Sequence, residues 1–259
     1  MAKSIKNSVS LRGGNAPRLW SAQALAAGAS IELSESALRH VAALRLHEGD
    51  PVTLFDGSGG EWSAELQRVA RDRAYAKLKA WHDVERESPL SITLALGISS
   101  GDRMDYAIQK ATELGVNAVQ PIATTRSVVR LKEERAERRL LHWRGVAIAA
   151  CEQCGRNRVP EILPVLDLLE FVVTPPQGLR ILLSPGAERS LKDMASELAT
   201  ATALTLLIGA EGGLSDQERE DALHYGFVPM RFGPRVLRTE TAPLAVLAAI
   251  QAGWGDCSG

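Results

Sequence analysis

From Leu90 onward, apolar runs of strand length alternate with segments of helical periodicity, and this alternation constrains the fold more than any other feature of the sequence. Strands that alternate with helices form a mainly parallel sheet covered by helices on both faces, because the helices bury their apolar sides on the sheet. The apolar runs are residues 92–96, 118–122, 180–184, 204–209 and 228–232. The sequence therefore predicts an α/β domain over residues 90–255.

The helical segments carry their own start and stop signals. Gly115 follows an apolar helical face and is typical of a helix C-terminus. Ser215 and Glu218 have the spacing of a capping box at a helix N-terminus. The predicted helices of this domain cover residues 102–114, 132–154, 215–225 and 241–252.

Residues 18–84 have a different pattern, in which short alternating strands accompany a single helix. The predicted strands are 30–33, 52–55, 61–66 and 75–81, and the predicted helix is 34–46 with Ser34 as its N-cap. This pattern predicts a small β-barrel that ends at the charged, proline-terminated segment 85–89. Residues 1–17 carry Lys and Arg but no apolar segment, so we predict a flexible tail rather than a secretory signal.

Charge and cysteine content limit the classes of function. The chain has 30 basic and 31 acidic residues, a net charge of −1, so any nucleic acid must bind at a local basic patch. Three cysteines do not make a disulfide framework and fit a reducing compartment. No apolar run reaches the length of a membrane span. We therefore predict a cytoplasmic protein that does not enter the membrane.

Three loops that contain glycine and other turn residues follow successive predicted strands, at residues 183–187, 208–215 and 232–243. In parallel sheets, ligands bind beyond the carboxyl ends of the strands, where glycine lets the backbone approach them closely. One such loop would be interpreted as a tight turn, whereas three together predict a ligand site. Neither a P-loop nor a G-x-G-x-x-G motif occurs, so a nucleoside would bind late in the chain.

Cys151 and Cys154 invite a zinc or redox hypothesis, which the sequence does not favour. Zinc requires four ligands, and the only other cysteine is Cys257 near the end of the chain. The pair also ends a predicted helix, whereas reactive C-x-x-C pairs lie at helix N-termini. We therefore predict no metal site.

Six segments in order resemble the RsmE family of ribosomal RNA uracil-N3 methyltransferases. They are GDRMD at 101–105, QKATELG at 109–115, TRS at 125–127, ACEQCGR at 150–156, IGAEGGLS at 208–215 and GPRVLRTETA at 233–242. The resemblance extends from Arg18 to Ile250. It implies a SPOUT-type α/β knot, which is a deep trefoil knot, together with an N-terminal PUA-like β-barrel. Ala210 stands where this family usually has proline.

The same resemblance implies a function and its site residues. The expected activity is S-adenosylmethionine (SAM)-dependent methylation of N3 of a uridine in 16S rRNA of the small ribosomal subunit, by a homodimer with its active site at the interface. The expected cofactor-binding residues are Leu183, Ser184, Gly209, Gly212, Gly213, Leu237, Arg238, Thr241 and Ala242. The expected catalytic residues are Arg156, Glu211, Arg238 and Glu240. The expected RNA-binding residues are Arg18, Arg45, Arg126 and Arg156.

Several alternatives stay open at this stage. Glu211 and Glu240 are candidates either for removing the uracil proton or for orienting an arginine, and Glu211 could equally be a turn carboxylate favoured by the dipole of the following helix. A ribose 2′-O methyltransferase of the same fold and a non-catalytic ribosome-assembly factor are competing functions. A metabolic α/β enzyme with an appended barrel is a weaker alternative.

Overall fold

A computed structural model describes residues 16–127 and 133–257, and the chain divides into two compact units between Val84 and Glu85. The predicted tail at residues 1–17 lies outside the described residues except for Ala16 and Pro17. Each unit buries its own apolar core. The two units are described separately.

The N-terminal unit is a five-stranded sheet with one helix. Its elements are β1 Arg18–Trp20, β2 Ser30–Glu32, α1 Glu35–Ala43, β3 Pro51–Phe55, β4 Glu61–Gln67 and β5 Tyr75–His82. Alternation places Val52, Leu54, Leu66 and Leu78 in a core that Val41 of α1 completes. Ser34 caps α1 by accepting a hydrogen bond from the backbone of Ala37, as its position predicts.

The predicted barrel is an open, PUA-like half-barrel. The strand order is β1-β3-β4-β5-β2, so β1 and β2 are the edges of the sheet within the described residues. β1 pairs with β3 in parallel, and the other pairs are antiparallel. β1 and β2 have three residues each, so the alternation of apolar and polar residues in them is too short to predict whether the sheet closes into a barrel.

The C-terminal unit confirms the predicted α/β fold. Its strands are β6 Ser91–Gly97, β7 Ala118–Ala123, β8 Glu161–Ile162, β9 Leu166–Asp167, β10 Leu179–Leu183, β11 Ala203–Ile208 and β12 Val228–Met230. Its helices are α2 Asp102–Glu113, α3 Glu133–Cys154, α4 Leu168–Val173, α5 Ala195–Thr200, α6 Asp216–His224 and α7 Thr241–Trp254. All strand pairs are parallel, in the order β12-β10-β11-β6-β7-β8, with β9 also on β7.

This strand order positions the site. The strands β10 and β11 lie side by side in the sheet, with β12 on one flank and β6 on the other. The loops that follow β10, β11 and β12 therefore emerge at one edge of the sheet, next to the loops that follow β6 and β7. The short elements β8, β9, α4 and α5 were missing from the sequence prediction, because two to six residues carry too little periodicity to be recognised.

Candidate functional site

A cavity of about 510 Å³ lies at the carboxyl edge of the parallel sheet. The loops after β10, β11 and β12 form most of its wall, and the remainder comes from α2, α6, α7 and the loop after β7. Its lining residues are Arg103, Arg126, Leu182, Leu183, Ser184, Pro185, Ile208, Gly209, Ala210, Glu211, Gly212, Gly213, Leu214, Arg219, Phe232, Gly233, Arg235, Val236, Leu237, Arg238, Thr239, Glu240 and Ala242.

Glycine is required where backbone segments cross at the floor of the cavity. A Cβ on Gly97, at the end of β6, would lie 2.2 Å from the backbone nitrogen of Ala210. A Cβ on Gly212 would lie 2.8 Å from the Cβ of Arg126. The loop after β11 is therefore in direct contact with the end of β6 and with the segment that follows β7.

Hydrogen bonds of Glu211 connect the loop after β11 to the start of α2. Its Oε1 atom accepts hydrogen bonds from the Ser100 backbone at 3.0 Å, the Ser100 hydroxyl at 3.1 Å and Arg103 Nη1 at 3.2 Å. Burial raises the pKa of Glu211, but the hydrogen bonds from Ser100 and Arg103 outweigh it, so the pKa lies below that of an ordinary glutamate. Glu211 is therefore an acceptor for both Ser100 and Arg103.

The lowered pKa predicts how the Glu211 contacts depend on pH. A carboxylate with a depressed folded-state pKa stabilises the fold fully above its unfolded pKa of about 4.3 and loses that contribution as the pH falls through the folded value. We expect Glu211→Gln to lower the free energy of unfolding by about 1–3 kcal/mol between pH 6 and 8, and the difference from wild type to shrink below about pH 4. Urea unfolding of the wild type and the variant between about pH 3.5 and pH 8 measures this difference in unfolding free energy. The exposed Glu220→Gln is the control, and a difference that persists unchanged at pH 3.5 would contradict the assignment.

Glu218 makes the corresponding connection to the loop after β7. It is 8% exposed, and its carboxylate accepts hydrogen bonds from the Thr125 backbone at 2.7 Å, the Thr125 hydroxyl at 3.1 Å and the Ser215 backbone at 2.7 Å. Burial raises the pKa of Glu218, but these hydrogen bonds lower it by more. The capping box that the sequence predicts at α6 is present. Its glutamate also holds the segment that carries Arg126, which donates to the carbonyl of Gly212 at 3.3 Å.

Five arginines surround the cavity, although the whole chain has a net charge of −1. They are Arg103, Arg126, Arg219, Arg235 and Arg238. The acidic lining residues are Glu211 and Glu240. This is the local basic patch that the balanced composition requires of a nucleic-acid-binding protein. Arg103, Arg219 and Arg235 were not predicted, but Arg103 follows β6 at the carboxyl edge of the sheet, where the strand-end rule would have found it.

Two carboxylate oxygens of cavity residues have no hydrogen-bond partner among the residues that the structure describes. The Oε2 atoms of Glu211 and Glu240 are buried and accept no hydrogen bond within the described part of the chain. A buried acceptor without a donor is costly, so a ligand that supplies N–H or O–H groups would stabilise both. SAM carries an ammonium group, an adenine amino group and ribose hydroxyls, so these residues fit it.

The cavity gathers most of the residues predicted to bind the cofactor. Thr241 is the exception: it is exposed, begins α7 and does not line the cavity. Of the predicted catalytic residues, Glu211, Arg238 and Glu240 line the cavity, and so does the predicted RNA-binding residue Arg126.

Arg156 does not line this cavity, and its predicted catalytic and RNA-binding roles stay predictions. It is 3% exposed and forms an ion pair with Glu87 through two hydrogen bonds, of 3.0 and 2.5 Å. It also donates to the carbonyls of Thr112 and Val116 at 2.8 and 2.9 Å, where α2 ends. From the sequence, its position after the helix end at Gly155 suggested a side chain that extends across a dimer interface. In the structure, the long side chain of Arg156 connects the segment before β6 with the end of α2.

Arg18 and Arg45 lie in the N-terminal unit. Arg18 forms an ion pair with Glu61 at 2.5 Å, and its guanidinium stacks over the ring of Phe55 at 4.8 Å. These contacts leave its side chain 11% exposed, and its predicted RNA contact stays a prediction. Arg45 is exposed and adopts a φ of +54° after the end of α1, a left-handed conformation that normally favours glycine.

The described residues contain no cluster of three or more His, Cys, Asp or Glu side chains that could hold a metal ion. Cys151 is buried, Cys154 is partly buried, and both end α3. Among the described helices, none has both the length and the apolar character needed to span a bilayer.

Both units match families of RNA methyltransferases. Residues 86–251 match the RNA methyltransferase domain, and residues 33–79 match the RNA methyltransferase PUA domain. The chain is 32% identical over 244 residues to ribosomal RNA small subunit methyltransferase E of Buchnera aphidicola subsp. Schizaphis graminum, covering 93% of this chain and 98% of that protein.

Solved structures with bound SAM share the fold. A Legionella pneumophila protein in complex with SAM superposes with a TM-score of 0.90 at 37% identity, covering 94% of this chain and all of that one. Ribosomal RNA small subunit methyltransferase E from Neisseria gonorrhoeae, bound to SAM, has a TM-score of 0.86 at 39% identity, covering 93% and 99% of the two chains.

Proposed function

Because the chain belongs to the family of ribosomal RNA small subunit methyltransferase E, we propose that it transfers a methyl group from SAM to N3 of one uridine in 16S rRNA. The observation that carries the proposal is the cavity at the sheet edge. It combines glycine loops, two buried carboxylate oxygens without described partners, and five arginines. The first two features suit SAM, and the third suits RNA.

The loops after β10, β11 and β12 hold the cofactor in this proposal. Leu183, Gly209 and Leu237 line the cavity on these loops and offer backbone groups, and Glu211 offers an acceptor oxygen, Oε2, that lacks a described donor. When bound, SAM supplies the electrophilic methyl group. The chain contributes orientation, because holding two reactants in line supplies much of the rate of such a transfer.

Arg103 stabilises the uracil in this mechanism. Loss of the N3 proton leaves negative charge on the uracil carbonyl oxygens, which a fixed guanidinium stabilises. Arg103 is fixed by Glu211, while its side chain stays 44% exposed at the cavity and has further donors available to a substrate. Arg126, which donates to the carbonyl of Gly212, binds a phosphate or the second uracil carbonyl in this proposal.

Glu240 is the candidate acceptor for the N3 proton. The described contacts of Glu211 occupy its Oε1 atom with three donors and lower its pKa, which makes it a weak base. Glu240 lines the same cavity and has a buried Oε2 atom without a described partner. We therefore assign proton removal to Glu240 and orientation of Arg103 to Glu211.

The role of Arg103 predicts a separation of binding from catalysis. Arg103→Ala is expected to lower kcat roughly a hundredfold, as loss of one donor to a developing anion does. The affinity for SAM should stay unchanged, because the arginine acts on the uracil. Single-turnover methylation and calorimetric titration with SAM measure the two effects, and Arg144→Ala, which removes an exposed charge on α3, is the control. Loss of SAM affinity with unchanged kcat would refute this role.

The function itself is tested with small ribosomal subunits from a strain that lacks the gene. The purified protein is incubated with them and methyl-labelled SAM, and the labelled nucleoside is identified and mapped. N3-methyluridine at a single position supports the proposal. Label on a ribose would place the chain with the 2′-O methyltransferases, and the absence of both label and SAM binding would leave a non-catalytic RNA-binding factor.

We further propose that the protein acts as a homodimer in the cytoplasm. Val236 lines the cavity and is 80% exposed, which is unusual for an aliphatic side chain beside a binding site. A second copy that covers Val236 would close the cavity and exclude water. The proposed substrate is part of the ribosome, which places the enzyme in the cytoplasm.

A further inference from the structure

The loop after β12 forms part of the cavity wall, yet it buries little of itself. It covers residues 231–240, and the four consecutive residues 233–236 are all exposed. Within residues 231–241, all of which the structure describes, Thr239 is the buried residue, at 9% exposure. A segment with few buried contacts opens easily unless a specific contact holds it. Thr239 is therefore the residue at which such a contact has to be sought.

The hydroxyl of Thr239 joins the loops after three strands. It donates to the carbonyl of Gly209, on the loop after β11, at 3.2 Å, and it lies 3.3 Å from the hydroxyl of Ser99, which follows β6. Ser99 is also buried, and its hydroxyl lies 3.4 Å from the carbonyl of Gly97. Because a hydroxyl has one proton to donate, Thr239 gives its proton to Gly209, and Ser99 donates either to Thr239 or to Gly97.

The contact between Thr239 and Gly209 lies within the wall of the proposed cofactor site. Both residues line the cavity, and so do Arg238 and Glu240 on either side of Thr239. A protein whose binding-competent arrangement is only partly populated binds its ligand more weakly, in proportion to that population. A contact that fixes the arrangement before the ligand arrives therefore raises the affinity. The hydrogen bond from Thr239 to Gly209 favours the arrangement of loops that forms the cavity.

We propose that Thr239 is a positioning residue, whose hydroxyl holds the loops after β11 and β12 in the arrangement that binds SAM. It acts through the backbone of Gly209 and not on the reacting atoms. The inference rests on the proposed function, and it adds a buried side chain that sets the affinity for the cofactor. Once SAM is bound, the ligand itself holds the loops together, so the hydroxyl contributes little to the methyl transfer that follows.

Thr239→Val tests this role, because it removes the hydroxyl and keeps the branched shape of the side chain. We expect calorimetric titration of the full-length variant to give an affinity for SAM about tenfold weaker than that of the wild type, the effect of one net hydrogen bond. The single-turnover rate of methylation at saturating SAM should stay close to that of the wild type. Thr239→Ser, which keeps the hydroxyl, should restore the affinity. A general loss of folding would not separate affinity from rate in this way.

Thr112→Val is the matched control. Thr112 is fully buried in α2 and does not line the cavity, and its hydroxyl donates to the carbonyl of Ile108 at 2.8 Å. This variant loses a buried hydrogen bond of the same kind and should keep the affinity of the wild type for SAM. Urea unfolding of each variant gives the folded fraction, to which the affinities refer. Unchanged affinity in Thr239→Val, an equal loss in Thr112→Val, or no recovery in Thr239→Ser would overturn the proposal.

Calorimetry decides the role of Thr239 without RNA, so its outcome is separate from that of the proposed function. The expected order of SAM affinities, found together with an absence of methylation of small ribosomal subunits, would remove the proposed function alone. Methylation of a uridine by the wild type, found together with a Thr239→Val variant that binds SAM normally, would remove the role of Thr239 alone.

Discussion

Gly97→Ala is expected to abolish SAM binding and to destabilise the catalytic unit. The new Cβ would lie 2.2 Å from the nitrogen of Ala210 and 2.7 Å from the carbonyl carbon of Gly209, and both contacts are with backbone. Backbone cannot rotate away as a side chain can, so the loop after β11 must move. Because that loop lines the cavity, we expect no measurable binding of SAM by calorimetry. We also expect unfolding to be easier by about 4 kcal/mol or more, the range of severe core lesions.

Gly145→Ala is the matched control for this experiment. Gly145 is an exposed residue of α3, and a Cβ there meets no atom within 4 Å. Alanine in a helix interior is favoured over glycine by about 0.5–1 kcal/mol, so this variant should be slightly more stable and bind SAM normally. A Gly97→Ala protein that binds SAM as the wild type does would show that the two strand ends are less closely packed than described.

Arg156→Ala is expected to cost about 3–5 kcal/mol of unfolding free energy, because it leaves Glu87 as an uncompensated, largely buried charge. It also removes the donors to two carbonyls at the end of α2. Arg156→Lys should recover little of the loss, since an ammonium group cannot make the paired contact with Glu87 while reaching both carbonyls. Denaturant unfolding with the wild type as reference measures these differences.

Arg158→Ala provides the comparison within the same segment. Arg158 forms a 3.4 Å ion pair with Glu85, but its side chain is 54% exposed, and pairs of this kind contribute about 0–1 kcal/mol. If Arg156 acted on RNA rather than on the fold, its alanine variant would unfold like that of Arg158 and lose methylation only. The buried position of Arg156 predicts that Arg156→Ala loses stability, while the folded fraction keeps its specific methylation activity.

The parts of the fold predicted correctly are those in which local patterns and packing agree. The apolar run at residues 204–209 is β11, in the centre of the sheet, and the Ser215–Glu218 capping box begins α6 where it was placed. The three glycine loops also converge as the strand-end rule requires. In each case a few neighbouring residues determine both the local structure and its place in the sheet.

The remaining features depend on contacts between residues distant in sequence. Arg156 and Glu87 are 69 residues apart, so nothing near Arg156 indicates a buried ion pair. Glu211 accepts hydrogen bonds from Ser100 and Arg103, about 110 residues earlier, and nothing near Glu211 in the sequence indicates these contacts. Closure of the predicted barrel likewise depends on strands too short to show a pattern. The trefoil knot remains a prediction from the family resemblance.

The loop after β11 is held by carboxylates at both ends, through Glu211 to the start of α2 and through Glu218 to the segment that carries Arg126. A ligand that orders this loop therefore also orders Arg103 and Arg126, the two cations assigned to the RNA. Thermodynamic linkage makes such an effect reciprocal, so whatever factor SAM gains in affinity from bound RNA, RNA gains equally from bound SAM. Under the proposed function, the two carboxylates therefore couple the binding of the cofactor to the binding of the RNA.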